Sequence, residues 1–214
     1  MHISKKNCTF ARSLQHQWKI IITMGIIYTL GHGNKSFEEF LLELNSLGIK
    51  YLIDIRSKPY SRWSTHFNQE PLKALLQRNG ITYVYMGDVL GGLPNDSTCY
   101  TNGKVDYSKV AQKDFFIAGI NRLIKASQSD IPISIMCSEA DPKMCHRYKL
   151  IGKVLTDNHI PVLHRVNNTS KSQADLDIEA TGGWGTMDLF GVAPTASRKT
   201  YLIPTEQSSF SQFD

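Results

Sequence analysis

The sequence predicts an α/β protein with a mostly parallel sheet of about five strands, covered by helices on both faces. Short apolar runs of strand length alternate along residues 26–164 with segments in which apolar residues recur at helical spacing. Consecutive parallel strands need crossover connections, and right-handed crossovers through helices produce a three-layer arrangement. No internal repeat interrupts this alternation.

Local signals support each element of the alternation. Ser36 and Glu39 form a capping box before the first helix, and Gly48 follows its end. Pro71 near the start and Gly80 at the end delimit the second helix. We expect strands at residues 26–30, 51–55, 81–86, 132–137 and 160–164, and helices at 37–47, 70–79, 108–127 and 143–156.

Charge and composition divide the chain into three parts. Residues 1–23 contain four basic and no acidic residues, residues 24–166 contain 17 basic and 13 acidic, and residues 167–214 contain three basic and six acidic. Because Met24 directly precedes the first strand, we expect residues 1–23 to be a disordered or misannotated leader. We expect a flexible acidic tail over residues 167–214. The mildly basic domain permits an anionic partner without requiring one.

Cysteine usage and hydropathy indicate the compartment. Cys8, Cys99, Cys137 and Cys145 show no framework spacing, which argues against a secreted disulfide scaffold and for a reducing cytoplasm. The apolar residues 18–22 are too few and too interrupted for a signal peptide core, and no apolar run is long enough to span a membrane. We therefore expect a cytoplasmic protein with no membrane partner.

The densest group of reactive side chains follows the fourth predicted strand. Cys137, Glu139, Cys145, His146 and Arg147 fall within eleven residues, between a buried strand and a helix. The carboxyl ends of parallel strands meet at one edge of a sheet, where open α/β sheets bind ligands. The same edge is expected to gather residues that follow the other strands: His32, Asp54, Arg56, Gly91, Gly92 and His164.

Several chemical roles fit this group. A thiol near the start of a helix has its pKa lowered by the helix dipole, so Cys145 is a nucleophile candidate beside Cys137, with His146 reinforcing the effect. Glu139 and His32 are the acid/base candidates. The alternative is that both cysteines are packed thiols without a chemical role.

A metal site at the same junction is not expected from the spacing. A zinc site built from Cys137, Cys145 and His146 with His32 or His164 is conceivable. However, seven residues separate the two cysteines, whereas zinc motifs commonly have two to four. We therefore predict no metal and leave any cofactor unknown.

Cations and aromatic residues are interleaved in the loop after the second strand. Lys58 and Arg62 accompany Tyr60 and Trp63, a mixture that suits phosphate contacts and base stacking. The alternative is a solvated loop whose Trp63 covers the core. Gly91 and Gly92 permit a close backbone approach to a ligand, or form a simple turn. The candidate substrate- or anion-binding residues are Arg56, Lys58, Arg62, Gly91, Gly92 and Arg147.

Together these motifs resemble one family, the domain of unknown function family 488. The shared motifs are Thr29-Leu30-Gly31-His32, Asp54-Ile55-Arg56 with Pro59 and Ser61, Leu90-Gly91-Gly92, and Cys137-x-Glu139 with Cys145-His146-Arg147. They occur in the family's order over about residues 26–166, although Gly33 stands where many members have Ser. The resemblance implies a Rossmann-like three-layer fold and a shared polar site, and it implies no established reaction.

A short motif in the tail indicates one partner. Residues 186–190 resemble the peptides by which bacterial replication and repair proteins bind the DNA sliding clamp, with Thr186 in place of the usual Gln. Such peptides bury a Leu-Phe pair in a pocket. The candidate partner-binding residues are Met187, Asp188, Leu189 and Phe190. A chance pentapeptide is the alternative.

These features lead to two expectations about function. The first is an enzyme that acts on nucleic acid or a nucleotide-like phosphorylated ligand, in DNA repair or base modification. The second is a non-catalytic nucleic-acid-binding or clamp-associated adaptor module. A reactive cysteine would favour the enzyme, whereas salt-dependent binding to DNA would fit either.

Overall fold

The computed structural model describes residues 25–181, 196–197 and 200 of the 214-residue chain. The predicted leader at residues 1–23 and the clamp-like peptide at 186–190 lie outside the described residues. The strands are β1 (Ile27–Gly31), β2 (Tyr51–Asp54), β3 (Thr82–Tyr85), β4 (Tyr100–Thr101), β5 (Lys104–Val105), β6 (Ile133–Cys137), β7 (Val162–Val166) and β8 (Thr169–Ser172).

Helices connect these strands. The α-helices are α1 (Phe37–Ser46), α2 (Gln69–Arg78), α3 (Gly87–Leu90), α4 (Tyr107–Val110), α5 (Asp114–Ser127), α6 (Lys153–Asp157) and α7 (Gln173–Ala180). Three 3₁₀ turns occur at Thr65–Phe67, Ser97–Cys99 and Pro142–Met144, and a π-helical turn at Arg147–Gly152 continues into α6. Among the described helices, none has the length and apolar character needed to span a membrane.

The central sheet has the strand order β3-β2-β6-β1-β7-β8. All neighbours are parallel except β7 and β8, which pair antiparallel. Apolar cores form on both faces, one beneath α1 and α2 and the other beneath α5 and α6. The α/β, Rossmann-like three-layer fold with a mostly parallel sheet is therefore confirmed, and β8 adds a sixth strand to the five expected.

Two predicted helices have a different form in the structure. The helix expected at residues 108–127 is divided into α4 and α5 near Lys113, whose backbone is extended and whose ammonium pairs with Asp96 at 2.7 Å. The helix expected at 143–156 consists of a 3₁₀ turn, the π-helical turn and α6. Cys145 itself is extended, with φ −122° and ψ 151°. Helical periodicity therefore identified the right segments without resolving these interruptions.

The structure also differs from the sequence prediction just beyond β7. Residues 167–181, which the sequence assigned to a flexible tail, contain β8 and α7. Ser172 and Asp175 form a capping box for α7, and Leu176 is buried against the body of the protein. Tyr148 donates a hydrogen bond to Asp177 at 2.7 Å. The polar composition of residues 167–181 therefore predicted a flexible tail, although α7 is attached to the body by one apolar side chain and several polar contacts.

Candidate functional site

The carboxyl ends of the strands surround a pocket of about 210 Å³. Seven of the predicted site residues line it: Arg56, Lys58, Gly92, Cys137, Glu139, Cys145 and His146. The other predicted residues of this edge, which include His32, Gly91 and Arg147, do not line the pocket.

The loop between Cys137 and Cys145 folds back so that the two thiols become neighbours. Asp141 accepts a hydrogen bond from the backbone N–H of Lys143 at 2.9 Å, which initiates the 3₁₀ turn. The backbone N–H of Cys145 then donates to the carbonyl of Pro142 at 2.9 Å. The extended backbone at Cys145 directs its side chain towards the end of β6, so the two thiols lie together although seven residues separate them.

Cys137, Cys145 and His146 form a buried cluster. Nδ1 of His146 lies 3.8 Å from Sγ of Cys137 and 3.6 Å from Sγ of Cys145. Nε2 of His146 lies 3.2 Å from the main-chain oxygen of Ile55, which can only accept a hydrogen bond. The proton of a neutral His146 therefore resides on Nε2, and the lone pair of Nδ1 faces the two sulfurs.

The two thiols differ in acidity. Burial raises the pKa of Cys145, but the S–H of Cys137, the charge of Arg147 and the backbone N–H of Arg147 outweigh it and lower the pKa to about 7. Cys137 donates its S–H to Cys145 and is itself buried, and both effects raise its pKa. The thiolate character of Cys145 thus comes from its neighbours, since the extended Cys145 precedes the π-helical turn and no α-helix begins at it.

Arg147 supports the loop above the cluster. Its side chain is fully buried, and it donates to the main-chain oxygens of Glu139 and Ala140, the latter at 2.9 Å. Its Nε has no hydrogen-bond partner within the described part of the chain. The guanidinium that was predicted to bind an anion therefore bonds to the backbone, and its charge contributes to the lowered pKa of Cys145.

Arg56 is held mainly by Asp54. Its Nε and Nη2 form a bidentate pair with the carboxylate at 2.9 and 2.6 Å, and Nη2 also donates to the carbonyl of Phe67 at 2.7 Å. Nη1 lies 3.4 Å from Nε2 of His32. Within the described part of the chain, these contacts use four of the five guanidinium N–H groups, so one remains available to a ligand in the pocket that Arg56 lines.

His32 has a supporting position. Its Nδ1 lies 2.9 Å from the carbonyl of Gly33, and its ring stacks on Phe67 with centroids 4.3 Å apart. Burial, followed by the charge of Arg56, lowers the pKa of His32 to about 4. His32 is therefore neutral at pH 7, and its Nε2 accepts from Arg56 instead of facing the pocket.

The glycines of the Gly91–Gly92 loop allow close approach to protein groups. A Cβ on Gly92 would lie 2.9 Å from Nδ1 of His146, and one on Gly91 would lie 2.3 Å from both Oγ of Ser57 and the carbonyl of Gly87. The loop was expected to approach a ligand. In the structure it packs against the imidazole ring and the loop that follows β2.

The loop after β2 exposes its aromatic and cationic side chains. Trp63 is 88% exposed and Tyr60 is 73% exposed, so the alternative in which Trp63 covers the core is wrong. The guanidinium of Arg62 lies 6.0 Å from the centroid of the Trp63 ring. Arg62 is exposed and outside the pocket lining, whereas Lys58 is exposed at the pocket itself.

Six further residues, none of them among the predicted site residues, also line the pocket. They are Ser57, Leu93, Tyr107, Ser138, Met144 and Ser197. Ser57 accepts a hydrogen bond from the backbone N–H of Leu93 at 2.9 Å and could have been found as the next residue of the Asp54-Ile55-Arg56 strand end. Ser197 pairs with Val105 through bonds of 2.8 and 2.9 Å, and the sequence offers no signal for it.

A larger open groove of about 990 Å³ lies beside α1, β8 and α7. Its charges include the ion pairs Lys35–Glu43, Lys143–Glu179 and Lys171–Glu179. None of the histidines or cysteines of the described chain lines this groove. We therefore place the candidate site in the smaller pocket, which contains the reactive side chains.

The fold and the pocket define an α/β protein with a polar pocket at the carboxyl edge of its sheet. The chain belongs to the family described as Domain of unknown function DUF488, whose family model matches residues 36–178. The match extends beyond residue 166 and includes β8 and most of α7, so the family unit contains the segment that the sequence assigned to the tail. No curated protein and no solved structure matches the chain.

Proposed function

We propose that the protein is an enzyme that acts on single-stranded or locally unpaired nucleic acid, with its reaction site in the pocket. The supporting observation is the continuity between the pocket and the exposed loop after β2. Lys58 lies at the pocket, and Tyr60, Arg62 and Trp63 follow it on the surface. Exposed aromatic rings interleaved with cations suit base stacking and phosphate contacts.

The size of the pocket favours a polymer over a free dinucleotide. Pockets for drug-sized ligands and cofactors measure about 300–1,000 Å³, whereas this pocket has about 210 Å³. One nucleotide unit is therefore the largest group that we place inside, and the remainder of the substrate would lie on the surface loop. A base in a duplex must leave the stack to enter such a pocket, which fits base modification or DNA repair.

The residues of the pocket have distinct proposed roles. Lys58 and the remaining N–H of Arg56 contact phosphate. Glu139, a partly buried carboxylate, transfers protons. Cys145 and His146 belong to the reactive centre. The three described cysteines are free thiols, which fits the proposed cytoplasmic location.

Binding of fluorescent single-stranded DNA and RNA oligonucleotides tests the surface. Trp63→Ala should weaken binding about 5- to 150-fold, because stacking of a base on an aromatic ring contributes about 1–3 kcal/mol. Lys58→Gln should weaken binding and reduce its salt dependence. Lys125→Gln removes the same charge on α5, away from the pocket, and should leave binding unchanged.

Mass spectrometry of the oligonucleotides tests catalysis. The wild type should change the mass or length of the bound oligonucleotide, and Glu139→Gln should abolish that change while binding is retained. Binding without any chemical change would instead support the non-catalytic adaptor, with or without a clamp contact through residues 186–190. Absence of binding at low salt would contradict both versions.

A further inference from the structure

The cluster of Cys137, Cys145 and His146 has the composition and spacing of a metal site. We propose that these three residues bind one zinc ion, with a fourth coordination position open to the pocket. These residues also form the reactive centre of the proposed function. Zinc binding does not depend on that function, whereas the reaction of the zinc-bound water rests on it.

The distances between ligand atoms fit tetrahedral zinc. With zinc–sulfur bonds of about 2.3 Å and zinc–nitrogen bonds of about 2.0–2.1 Å, a tetrahedral ion separates its sulfur and nitrogen ligands by about 3.6 Å. Nδ1 of His146 lies 3.6 and 3.8 Å from the two sulfurs. All three ligand atoms lie within 4.8 Å of one another. The side chains therefore need little movement to enclose an ion.

The surroundings orient the three ligands. Histidines that bind metals commonly donate their other ring N–H to a carbonyl or carboxylate, which fixes the tautomer. Nε2 of His146 does so to Ile55, and this leaves Nδ1 for the metal. The backbone N–H of Arg147 donates to Sγ of Cys145 at 3.4 Å, an interaction that stabilises a thiolate.

Among the residues that the structure describes, no other histidine joins the cluster as a fourth ligand. His32 contacts Gly33 and Arg56 through its two ring nitrogens. His164 contacts Thr29 and Gln173 in the same way, at 2.9 Å each. Within the described residues, the cluster thus offers three ligands, and three protein ligands with one open position are typical of catalytic zinc.

Zinc is the metal that this donor set favours. Thiolates select soft or borderline ions, and imidazole suits zinc, whereas magnesium and calcium prefer oxygen ligands. Two thiolates neutralise the charge of Zn²⁺. The buried cation of Arg147 then favours an anion, such as hydroxide, in the fourth position.

Glu139 lines the same pocket and would act on the bound water. The water transfers one proton to Glu139, and the remaining hydroxide forms a bond from its oxygen to an electrophilic atom of the substrate. The bond to the leaving group breaks, and the leaving group takes that proton from Glu139. The reaction is a hydrolysis, so it requires no oxidant or reductant.

Seven residues separate the two cysteines, more than the two to four found in local zinc knuckles, in which both cysteines come from one tight turn. Here the ligands come from the end of β6, the extended residue Cys145 and the residue before the π-helical turn, and the 138–144 loop brings them together.

Metal analysis of the full-length protein tests the site. Wild-type protein purified without chelators should contain about one zinc per chain. After exchange with Co²⁺, it should show the visible absorption of tetrahedral cobalt and a thiolate-to-cobalt charge-transfer band. Cys137→Ser, Cys145→Ser and His146→Ala should each lose these signals. Cys99→Ser, which changes a buried cysteine outside the cluster, should retain them.

A folded wild type that contains no zinc and gives no thiolate–cobalt band would overturn the proposal. Because this measurement uses the wild type, unfolding of a variant does not affect it, and circular dichroism establishes folding. Equal zinc in the wild type and in the folded cluster variants would also overturn it. Zinc binding without any change to oligonucleotides would support the zinc site and contradict the proposed nucleic-acid enzyme.

Discussion

Nε2 of His146 donates a hydrogen bond to the main-chain oxygen of Ile55, with the two atoms 3.2 Å apart. The two residues are 91 positions apart in the chain, and this bond joins the end of β2 to the segment that enters the π-helical turn. Because the carbonyl can only accept, it determines the tautomer of the ring. Nδ1 is therefore directed at Cys137 and Cys145, so the imidazole ring contacts both thiols at once.

Gly92 maintains the position of this imidazole ring. Gly92→Ala would place a methyl group 2.9 Å from Nδ1 and 3.0 Å from Cγ of His146, which is too close for unstrained packing. The ring should shift, at a cost of about 1–3 kcal/mol in the free energy of unfolding. The cobalt charge-transfer band and urea denaturation check the two effects. Asn95→Ala, in the same loop but exposed, should change neither; unaltered cobalt absorption in Gly92→Ala would contradict this role.

Removing one partner of the buried Asp54–Arg56 pair at the same edge should strongly destabilise the protein. Both side chains are almost fully buried, and Asp54 also accepts from Tyr83 at 2.7 Å. Asp54→Asn removes the negative charge and leaves a buried guanidinium uncompensated, so the free energy of unfolding should fall by about 3–5 kcal/mol. Urea denaturation measures this loss. The double variant Asp54→Asn/Arg56→Met should recover part of it, and a loss below 1 kcal/mol in Asp54→Asn would show that the pair is not critical.

Much of the fold and part of the site followed from the sequence. Apolar runs identified the five parallel strands, because strands buried on both faces need continuous apolar residues. The expectation that residues after parallel strands meet at one edge placed Arg56, Cys137, Glu139 and Cys145 together, and all four line the pocket. These predictions depend on periodicity and topology, which are properties that a single sequence contains.

The rest depends on side-chain contacts that a single sequence does not contain. His32 and Arg147 have the residue types of a catalytic site, yet each is engaged by protein groups that only the folded chain supplies. Ser197 reaches the pocket by pairing with Val105, 92 positions away. Composition cannot distinguish such long-range contacts from exposed polar residues.

Buried neutral histidines should make stability depend on pH. Burial is the main cause that lowers the pKa of His164 to about 4, below the ordinary value of about 6.5, and the pKa of His32 is similar. As the pH falls from about 6.5 to 4, these two histidines bind protons in the unfolded chain but remain neutral in the folded protein. The free energy of unfolding therefore decreases over this range. Each histidine accounts for about 3 kcal/mol at most.

Urea denaturation between pH 7 and pH 4 checks this dependence. His164→Gln should lose less stability over that range than the wild type, since one of the two groups no longer titrates. His159→Asn is the matched control, because His159 is exposed and its φ of 62° is a conformation that Asn tolerates. Parallel curves for His164→Gln and the wild type would contradict the burial of a neutral His164.

The attachment of α7 can be tested with two apolar side chains on the same helix. Leu176 is 1% exposed, whereas Ile178 is 49% exposed. Leu176→Ala should lower the free energy of unfolding by about 2–5 kcal/mol, because it deletes packed atoms and leaves a cavity. Ile178→Ala should change it by no more than about 0.5 kcal/mol. If both variants had equally small effects on the free energy of unfolding, the expectation of a flexible tail from residue 167 would be supported instead. A large difference would place the end of the folded domain beyond α7, because the helix would then unfold together with the sheet.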